Sequence, residues 1–337
     1  MSVQGLSKIT PVPCMQDDLL SALPATSEQA GWPWNEEVPP LPPLTPDGKP
    51  WPKITIVTPS YNQGQFIEET IRSVLLQNYP NLEYIIIDGG STDQSVEVIK
   101  KYEPWLSYWV SEPDRGQPHA INKGFSMATG EIVQWINSDD LLTQGALVEV
   151  GRLANMFPEQ LIGGGCEHFN EVEPVGTLFN QDLSAAKLVK YWQGGYMYQQ
   201  PSLFVPRIAI SSCGLIDESL HYCFDLDWTI RLLGLFQITY TKMTLARFRL
   251  HVNSKTVSQP ERFESDCRVI TQRYWKVEGA HGIEQSFWMY TLDRLLNSNL
   301  SRTDKLKKLS LGVFELPSRF LRRNTLGVLR RIVFSVS

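Results

Sequence analysis

The sequence predicts an α/β fold built on a mostly parallel, doubly wound sheet, and three observations predict it. From Lys53 onward, short β-branched runs alternate with stretches whose apolar residues recur at helical spacing. The connections between these runs are short, as strand–helix–strand units require. Each apolar run also ends in glycine or small polar residues, and in such a sheet the carboxyl ends of the strands are where ligands sit.

The elements follow in order. Lys53-Ile-Thr-Ile-Val-Thr58 is a β-branched strand, and Pro59-Ser-Tyr-Asn-Gln-Gly64 is a loop of turn formers. Residues 66–77 are helical, with Phe66, Ile67, Ile71, Val74 and Leu75 on one face. Leu82-Glu-Tyr-Ile-Ile-Ile87 is a second strand and runs into Asp88-Gly-Gly-Ser-Thr-Asp93. Residues 95–102 form a helix, 105–110 a strand, 116–128 a helix and 131–136 a strand, which ends in Asn137-Ser-Asp-Asp140. Beyond it the regularity falls: a helix over 144–156, a strand over 161–165, and helices over 261–300.

Residues 1–52 are a proline-rich arm poor in regular structure. Within it, Gly31-Trp-Pro-Trp34 carries two indoles that are unfavourable in water, so the arm is expected to pin itself to the domain surface. Residues 53–275 form the domain itself, with a regular half (53–140) and a less regular half (141–275). Residues 276–337 are a helical extension whose last part, 301–337, carries nine Lys or Arg against Asp304 and Glu315. Two readings of that part stand open: a peripheral contact with an anionic membrane, or a solvated helix packed on the domain.

Composition narrows the class. A formal net charge of −5 gives no signal for nucleic acid. Five scattered cysteines without a C-x-x-C pair argue against a zinc site and a disulfide framework. The N-terminus lacks the order of a signal peptide, and no apolar run reaches the ~18 residues of a membrane span. A cytoplasmic location, at most at the inner face of a membrane, is the expectation.

Asp139 and Asp140 close an apolar run, and isolated carboxylates there are costly unless something positive meets them. A divalent cation with phosphate oxygens would do so; so, in a different way, would a helix N-cap before Leu141-Leu142. Asp88, after three isoleucines, should lie at the crevice, where it could accept a hydrogen bond from a nucleobase. There is no G-x-G-x-x-G fingerprint and no G-K-[ST] loop, which disfavours nicotinamide dinucleotides and P-loop hydrolysis.

Several motifs then appear in one order: Pro59-Ser-Tyr-Asn-Gln, Glu69-Thr-Ile-Arg-Ser-Val-Leu-Leu-Gln77, Tyr84-Ile-Ile-Ile-Asp-Gly-Gly-Ser-Thr-Asp93, Glu112-Pro-Asp-Arg-Gly116, Ala120-Ile-Asn-Lys-Gly124, Ala128-Thr-Gly130 and Asn137-Ser-Asp-Asp140. Together they resemble the family 2 glycosyltransferases of the GT-A fold. The resemblance implies that Pro59, Tyr61 and Asp88 hold the nucleotide's base and that Arg115 borders its pocket. It implies further that Asp139 faces the ribose or the metal and that Asp140 binds the metal, Mn²⁺ or Mg²⁺. Asn137 stands where many members have Asp, which leaves open which carboxylates ligate.

The resemblance makes 53–140 the nucleotide-binding half and 141–275 the acceptor half, and the acceptor half carries thinner signals. Tyr196-Met-Tyr-Gln-Gln-Pro-Ser202 is polar and aromatic; its tyrosines either stack on sugar or pack in the core, and the resemblance makes Gln200 an acceptor contact. Asp225, before an amphipathic helix, is either the base that deprotonates an acceptor hydroxyl or a helix cap, with Asp227 and Arg231 an i,i+4 ion pair. Phe224 replaces the Glu usual beside that base. His251, in Arg247-Phe-Arg-Leu-His251-Val-Asn-Ser-Lys-Thr256, resembles the histidine that approaches the metal in these enzymes.

The implied activity is metal-dependent and inverting: transfer of a sugar from a nucleotide-diphosphate donor to a hydroxyl of a glycan or lipid-linked acceptor in polysaccharide biosynthesis. A nucleotidyltransferase is the first rival, but 59–64 holds no Lys or Arg to grip a triphosphate. A non-catalytic sugar-nucleotide or glycan-binding scaffold is the second.

Overall fold

The computed structural model describes residues 19–26, 29–170, 173–190, 198–251, 260–274, 301 and 303–304. The chain divides into two compact units, Met1–Leu188 with Tyr196–Cys267, and Val189–Gly195 with Arg268–Ser337. Most of the second unit, including nearly all of the basic segment 301–337 and the helices expected over 275–300, lies outside the described residues, as do 196–197. No helix among the described residues is long and apolar enough to cross a membrane.

In the first unit the described part of the arm opens with a single helical turn, α1 (Leu19–Ala22). The strands β1 (Ile54–Ser60), β2 (Leu82–Asp88), β3 (Tyr108–Ser111) and β4 (Ile132–Trp135) follow. They lie side by side in the order β3-β2-β1-β4, all parallel. β1 and β2 are buried along their whole length, which is why they read as unbroken apolar runs rather than alternating ones. Helices α2 (Ile67–Leu75), α3 (Ser95–Tyr102) and α4 (Gln117–Met127) cover the sheet. Ile54, Ile56, Tyr84 and Ile86 meet Ile67, Ile71, Val98 and Ile99 in the core, each large side chain worth about 1.5–3 kcal/mol of burial. On the other face Gly124 of α4 lies against Val57, where any Cβ would overlap that side chain.

The second half is mixed rather than parallel. It comprises β5 (Leu141–Leu142), α5 (Ala146–Met156), β6 (Leu161–Phe169), β7 (Pro174–Phe179) and α6 (Ala185–Val189). Then come β8 (Leu203–Pro206), α7 (Ile208–Cys213), α8 (Phe224–Leu235), β9 (Ile238–Arg249) and α9 (Pro260–Tyr274). The sheet continues β4-β8-β6-β9-β5, with β7 on β6. β8 is antiparallel to both β4 and β6, β5 is antiparallel to β9, and β6 and β9 run parallel. Leu141 and Leu142 are therefore strand, not helix, and the helix-cap reading of Asp139 and Asp140 is set aside.

The arm is pinned as its composition suggests. Trp32 Nε1 donates to the Leu142 carbonyl at 2.8 Å, and Leu23 and Trp51 join the core. Arg72, buried in α2, does most of the pinning. Its guanidinium donates to the carbonyls of Pro24, Pro33 and Trp34 and to the Tyr102 hydroxyl, and it lies over the Trp34 ring. A buried guanidinium is tolerated because these acceptors satisfy it.

Candidate active site

The carboxyl ends of β1, β2 and β4 bring three loops together. The first two are stitched to each other. Asn62, at φ 52°, donates its N–H to Ser91 Oγ and accepts from Thr92 N. Gln63 N donates to Ser95 Oγ, and Gly64 N to Asp93 Oδ2. Tyr61 stands out from the same loop, 61% exposed, next to the buried Pro59 and Ser60. Among the described residues three buried side-chain polar atoms have no protein partner, and two of them, Ser60 Oγ and Gln63 Oε1, are in this loop. Buried polar atoms are nearly always paired, so these two are open to a ligand or an ordered water.

Asp88 is paired with Ser60 in the parallel register and fully buried. Its Oδ2 accepts from Gly90 N, Ser91 N and Ser111 Oγ, while Oδ1 accepts only from Ser91 Oγ and keeps a lone pair. A Cβ on Gly89 would stand 2.7 Å from Asp114 Oδ2, so a side chain there has to displace that carboxylate. Asp114 in turn accepts from Gly116 N at the start of α4. Arg115 is largely exposed and gives both Nε and Nη2 to Glu218 Oε2, at 3.0 and 2.7 Å.

At the end of β4 the three polar residues have separate partners. Asn137 bridges: its Oδ1 accepts from Gln117 Nε2 and its Nδ2 donates to Asp140 Oδ2 at 3.0 Å. Asp140 is completely buried, and its Oδ1 accepts the backbone N–H of Arg249. Burial, and then the neighbouring Asp139 charge, push its carboxyl well above the usual range, against those hydrogen bonds. Asp139, by contrast, is partly exposed, and its Oδ2 lies 2.9 Å from His251 Nε2. Arg249 holds this pair from behind. It donates to the Asp139 carbonyl and to Glu69 Oε2, and its guanidinium stacks between Phe66 and Phe169. Phe66 also meets the His251 ring at 4.9 Å.

These donors fit a divalent cation of one kind. Among the described residues no group of three or more His, Cys, Asp or Glu forms a cation cage. Asp139 and His251 offer one carboxylate oxygen and one imidazole nitrogen, which leaves the remaining coordination positions to phosphate oxygens and water. Such a pair suits an ion brought in with a diphosphate, and the imidazole suits Mn²⁺ better than Mg²⁺. Asp140, expected from the sequence as a further ligand, is fully buried and accepts one hydrogen bond on each oxygen, from Asn137 and from the Arg249 backbone.

Asp225 lies in the first turn of α8 and is partly exposed. Its Oδ1 accepts the adjacent Leu226 N, so it does not serve as an N-cap of the usual kind, which bonds two or three residues on. Burial pushes its carboxyl up to about 6. The ion pair of Asp227 with Arg231 is present at 3.1 Å. The aromatic cluster of Phe125, Trp135, Phe224 and Trp228 packs at the start of the helix.

The chain leading into α8 is clamped at two points. Asn122 of α4 exchanges hydrogen bonds with the backbone of Ile216 and reaches Glu218. Asp266 of α9 accepts the N–H groups of His221, Tyr222 and Cys223. Gln200 is buried beside β4 and spends its amide N–H on the Trp135 carbonyl. Tyr198, the described tyrosine of that segment, accepts from Thr229 of α8 through its hydroxyl.

The structure thus brings Pro59, Tyr61 and Asp88 to one stitched pair of loops, and Asp139 and His251 into contact. Gln117, Arg249, Glu69, Asn122, Glu218 and Asp266 were not singled out from the sequence. Their roles depend on pairings up to 180 residues apart, which no local pattern carries.

Comparison with known proteins adds a family likeness. Residues 55–205 match the model of glycosyl transferase family 2. An uncharacterised glycosyltransferase of Rickettsia typhi is 25% identical over 228 residues, 64% of this chain and 70% of that protein. An uncharacterised glycosyltransferase of Mycobacterium tuberculosis is 38% identical over 90 residues, 26% of this chain, and the match spans only 34% of that relative. Among solved structures, S. aureus TarS 1–349 in complex with UDP-GlcNAc superposes with a TM-score of 0.63 at 16% identity, covering 84% of this chain and 88% of that one. That likeness is one of fold.

Proposed function

We propose that the chain, whose residues 55–205 match glycosyl transferase family 2, is a member of that family and transfers a sugar from a nucleotide-diphosphate donor to a hydroxyl of a glycan acceptor, with inversion at the anomeric carbon. The observation that carries this reading is Asp225, partly exposed and raised to about 6 by burial. A carboxylate of that basicity is ionised at neutral pH, yet is a far better proton acceptor than an ordinary aspartate.

In the proposed reaction the acceptor hydroxyl gives its proton to Asp225 while its oxygen attacks the anomeric carbon. The bond from that carbon to the diphosphate breaks on the opposite face, and the electron pair leaves with the phosphate oxygen. Displacement from the opposite face gives inversion. Asp139 and His251 would hold a divalent cation, which when bound neutralises the diphosphate and makes it a better leaving group. Arg249 fixes the Asp139 backbone, and Phe66 and Phe169 hold Arg249. Asp140 serves as the buried anchor between Asn137 and β9.

The nucleotide's base is proposed to enter between Tyr61 and the Asp88 loop. There the free lone pair of Asp88 Oδ1 and the unpartnered Ser60 Oγ and Gln63 Oε1 await donors. Arg115, tied to Glu218, borders this pocket from α4's N-terminal side. Gln200 would act on the acceptor side through its position against β4.

The test is release of nucleotide diphosphate from a panel of nucleotide sugars with Mn²⁺ and glycan acceptors. Turnover by the native protein, lost in Asp225→Asn while donor binding persists, supports the transferase. Donor binding without turnover in the native protein and with no effect of Asp225→Asn would point instead to a scaffold.

A further inference from the structure

Cys223 and Cys267 stand apart from the other cysteines. Both are fully buried, and their sulfurs are 3.3 Å apart although the residues are 44 positions apart in sequence. Cys223 is the residue that opens α8, and Cys267 sits in α9 directly after Asp266. Asp266 already clasps the backbone of residues 221–223, so the two thiols meet at a point where loop and helix are held in register by independent bonds. A disulfide needs an S–S distance of about 2.05 Å, so only about 1.2 Å of closure separates the thiols from a bond. The covering loop is at the surface, since His221 is exposed and Tyr222 partly so.

We propose that Cys223 and Cys267 are a redox pair that closes into a disulfide on reaction with a low-molecular-weight disulfide, locking the loop before Asp225 to α9. One thiol loses its proton and attacks the reagent, forming a mixed disulfide and expelling one reagent thiol. The second cysteine then attacks the protein sulfur of that mixed disulfide and expels the other. The protein gives up two protons and two electrons, and one reagent disulfide becomes two thiols.

The hydrogen bond shared with Cys267, and then burial, raise the Cys223 thiol above its ordinary value, which makes the attack slow in the closed state. Exchange therefore proceeds through lifting of the loop 221–223, and its rate reports that opening. The remaining described cysteines, Cys166 and Cys213, have no such neighbour among the described sulfurs.

The experiment is equilibration of the folded, full-length protein in glutathione buffers of graded ratio, followed by acid quench, alkylation and peptide mapping. The proposal expects a 223–267 linked peptide that rises with oxidised glutathione and is absent in Cys223→Ser and Cys267→Ser. It also expects slower amide exchange at 221–223 and a melting midpoint raised by roughly 5–10 °C in the oxidised protein. Both serine variants should stay folded, and neither should shift its melting midpoint with the glutathione ratio. Absence of the linked peptide in protein that stays folded would overturn the proposal, as would its appearance only under denaturing conditions. These readouts involve neither donor nor acceptor, so their failure leaves the proposed transferase reaction untouched.

Discussion

Asp225→Asn should make the protein more stable and, on the proposed function, inactive at the same time. The carboxyl is lifted from its ordinary 3.8 to about 6 by burial, a difference that corresponds to at most about 3 kcal/mol. The folded value lies above the unfolded one, so the fold prefers the protonated form. That preference is fully present below about pH 4 and is lost as pH rises through 6. At pH 7 the native protein therefore carries a charge that its surroundings disfavour, and the amide of Asp225→Asn removes it while still accepting from Leu226 N. Urea denaturation should show the variant up to about 3 kcal/mol more stable at pH 7, with the gain fading to nothing near pH 4. Loss of a general base should cut turnover about 10²–10⁴-fold. In the native protein, turnover should fall about tenfold per pH unit below 6. A variant that is destabilised at pH 7, or that turns over normally, would refute the reasoning that a disfavoured charge is kept there for chemistry.

Three further outcomes follow from the structure. Arg72→Met strips three arm carbonyls and the Tyr102 hydroxyl of their donor, which should cost about 3–5 kcal/mol in urea denaturation and expose the arm around residues 24–34 to limited proteolysis. Gly89→Ala drives a methyl against the Asp114 carboxylate, so donor affinity by calorimetry should fall about tenfold or more, with a smaller change in melting midpoint. Asn137→Asp exchanges the amide donor facing Asp140 for a second carboxylate; thermal melting at pH 7 should show destabilisation of about 1–3 kcal/mol, relieved as pH is lowered.

What the sequence made legible was the half of the fold written in local periodicity. β1, β2 and β4 are apolar because both their faces are covered, and α2 to α4 repeat at helical spacing for the same reason. The motif glycines are legible too, although for packing rather than chemistry: Gly124 lets α4 lie on Val57, and a Cβ on Gly130 would stand 2.5 Å from Thr55 Oγ1. β7, β8 and β9 escaped because exposed or short strands lack a strong pattern. β9 mixes Thr, Lys, Met and Arg and takes its identity from pairing with β6 and β5. In the site, Asp139 and His251, each expected as a metal ligand, meet in a hydrogen bond of 2.9 Å that no local pattern carries, and the burial of Asp140 was hidden likewise. Only the fold reveals that the Arg249 backbone and Asn137 each donate to one of its oxygens. The clasp of Asp266 on residues 221–223 lies further still from any sequence rule.

The central claim is that Asp139 and His251 take a divalent cation only together with a nucleotide diphosphate. Thermal melting with a panel of nucleotide diphosphates, with and without Mn²⁺, in the native protein, Asp139→Ala and His251→Ala, tests it most directly. The account predicts little effect of Mn²⁺ alone. It predicts stabilisation by one nucleotide diphosphate, by about 2.7 kcal/mol at a hundred times its Kd, and a further Mn²⁺-dependent increment that both variants lose. A folded native protein that responds to none of the nucleotides, or variants that keep the Mn²⁺ increment, would contradict it.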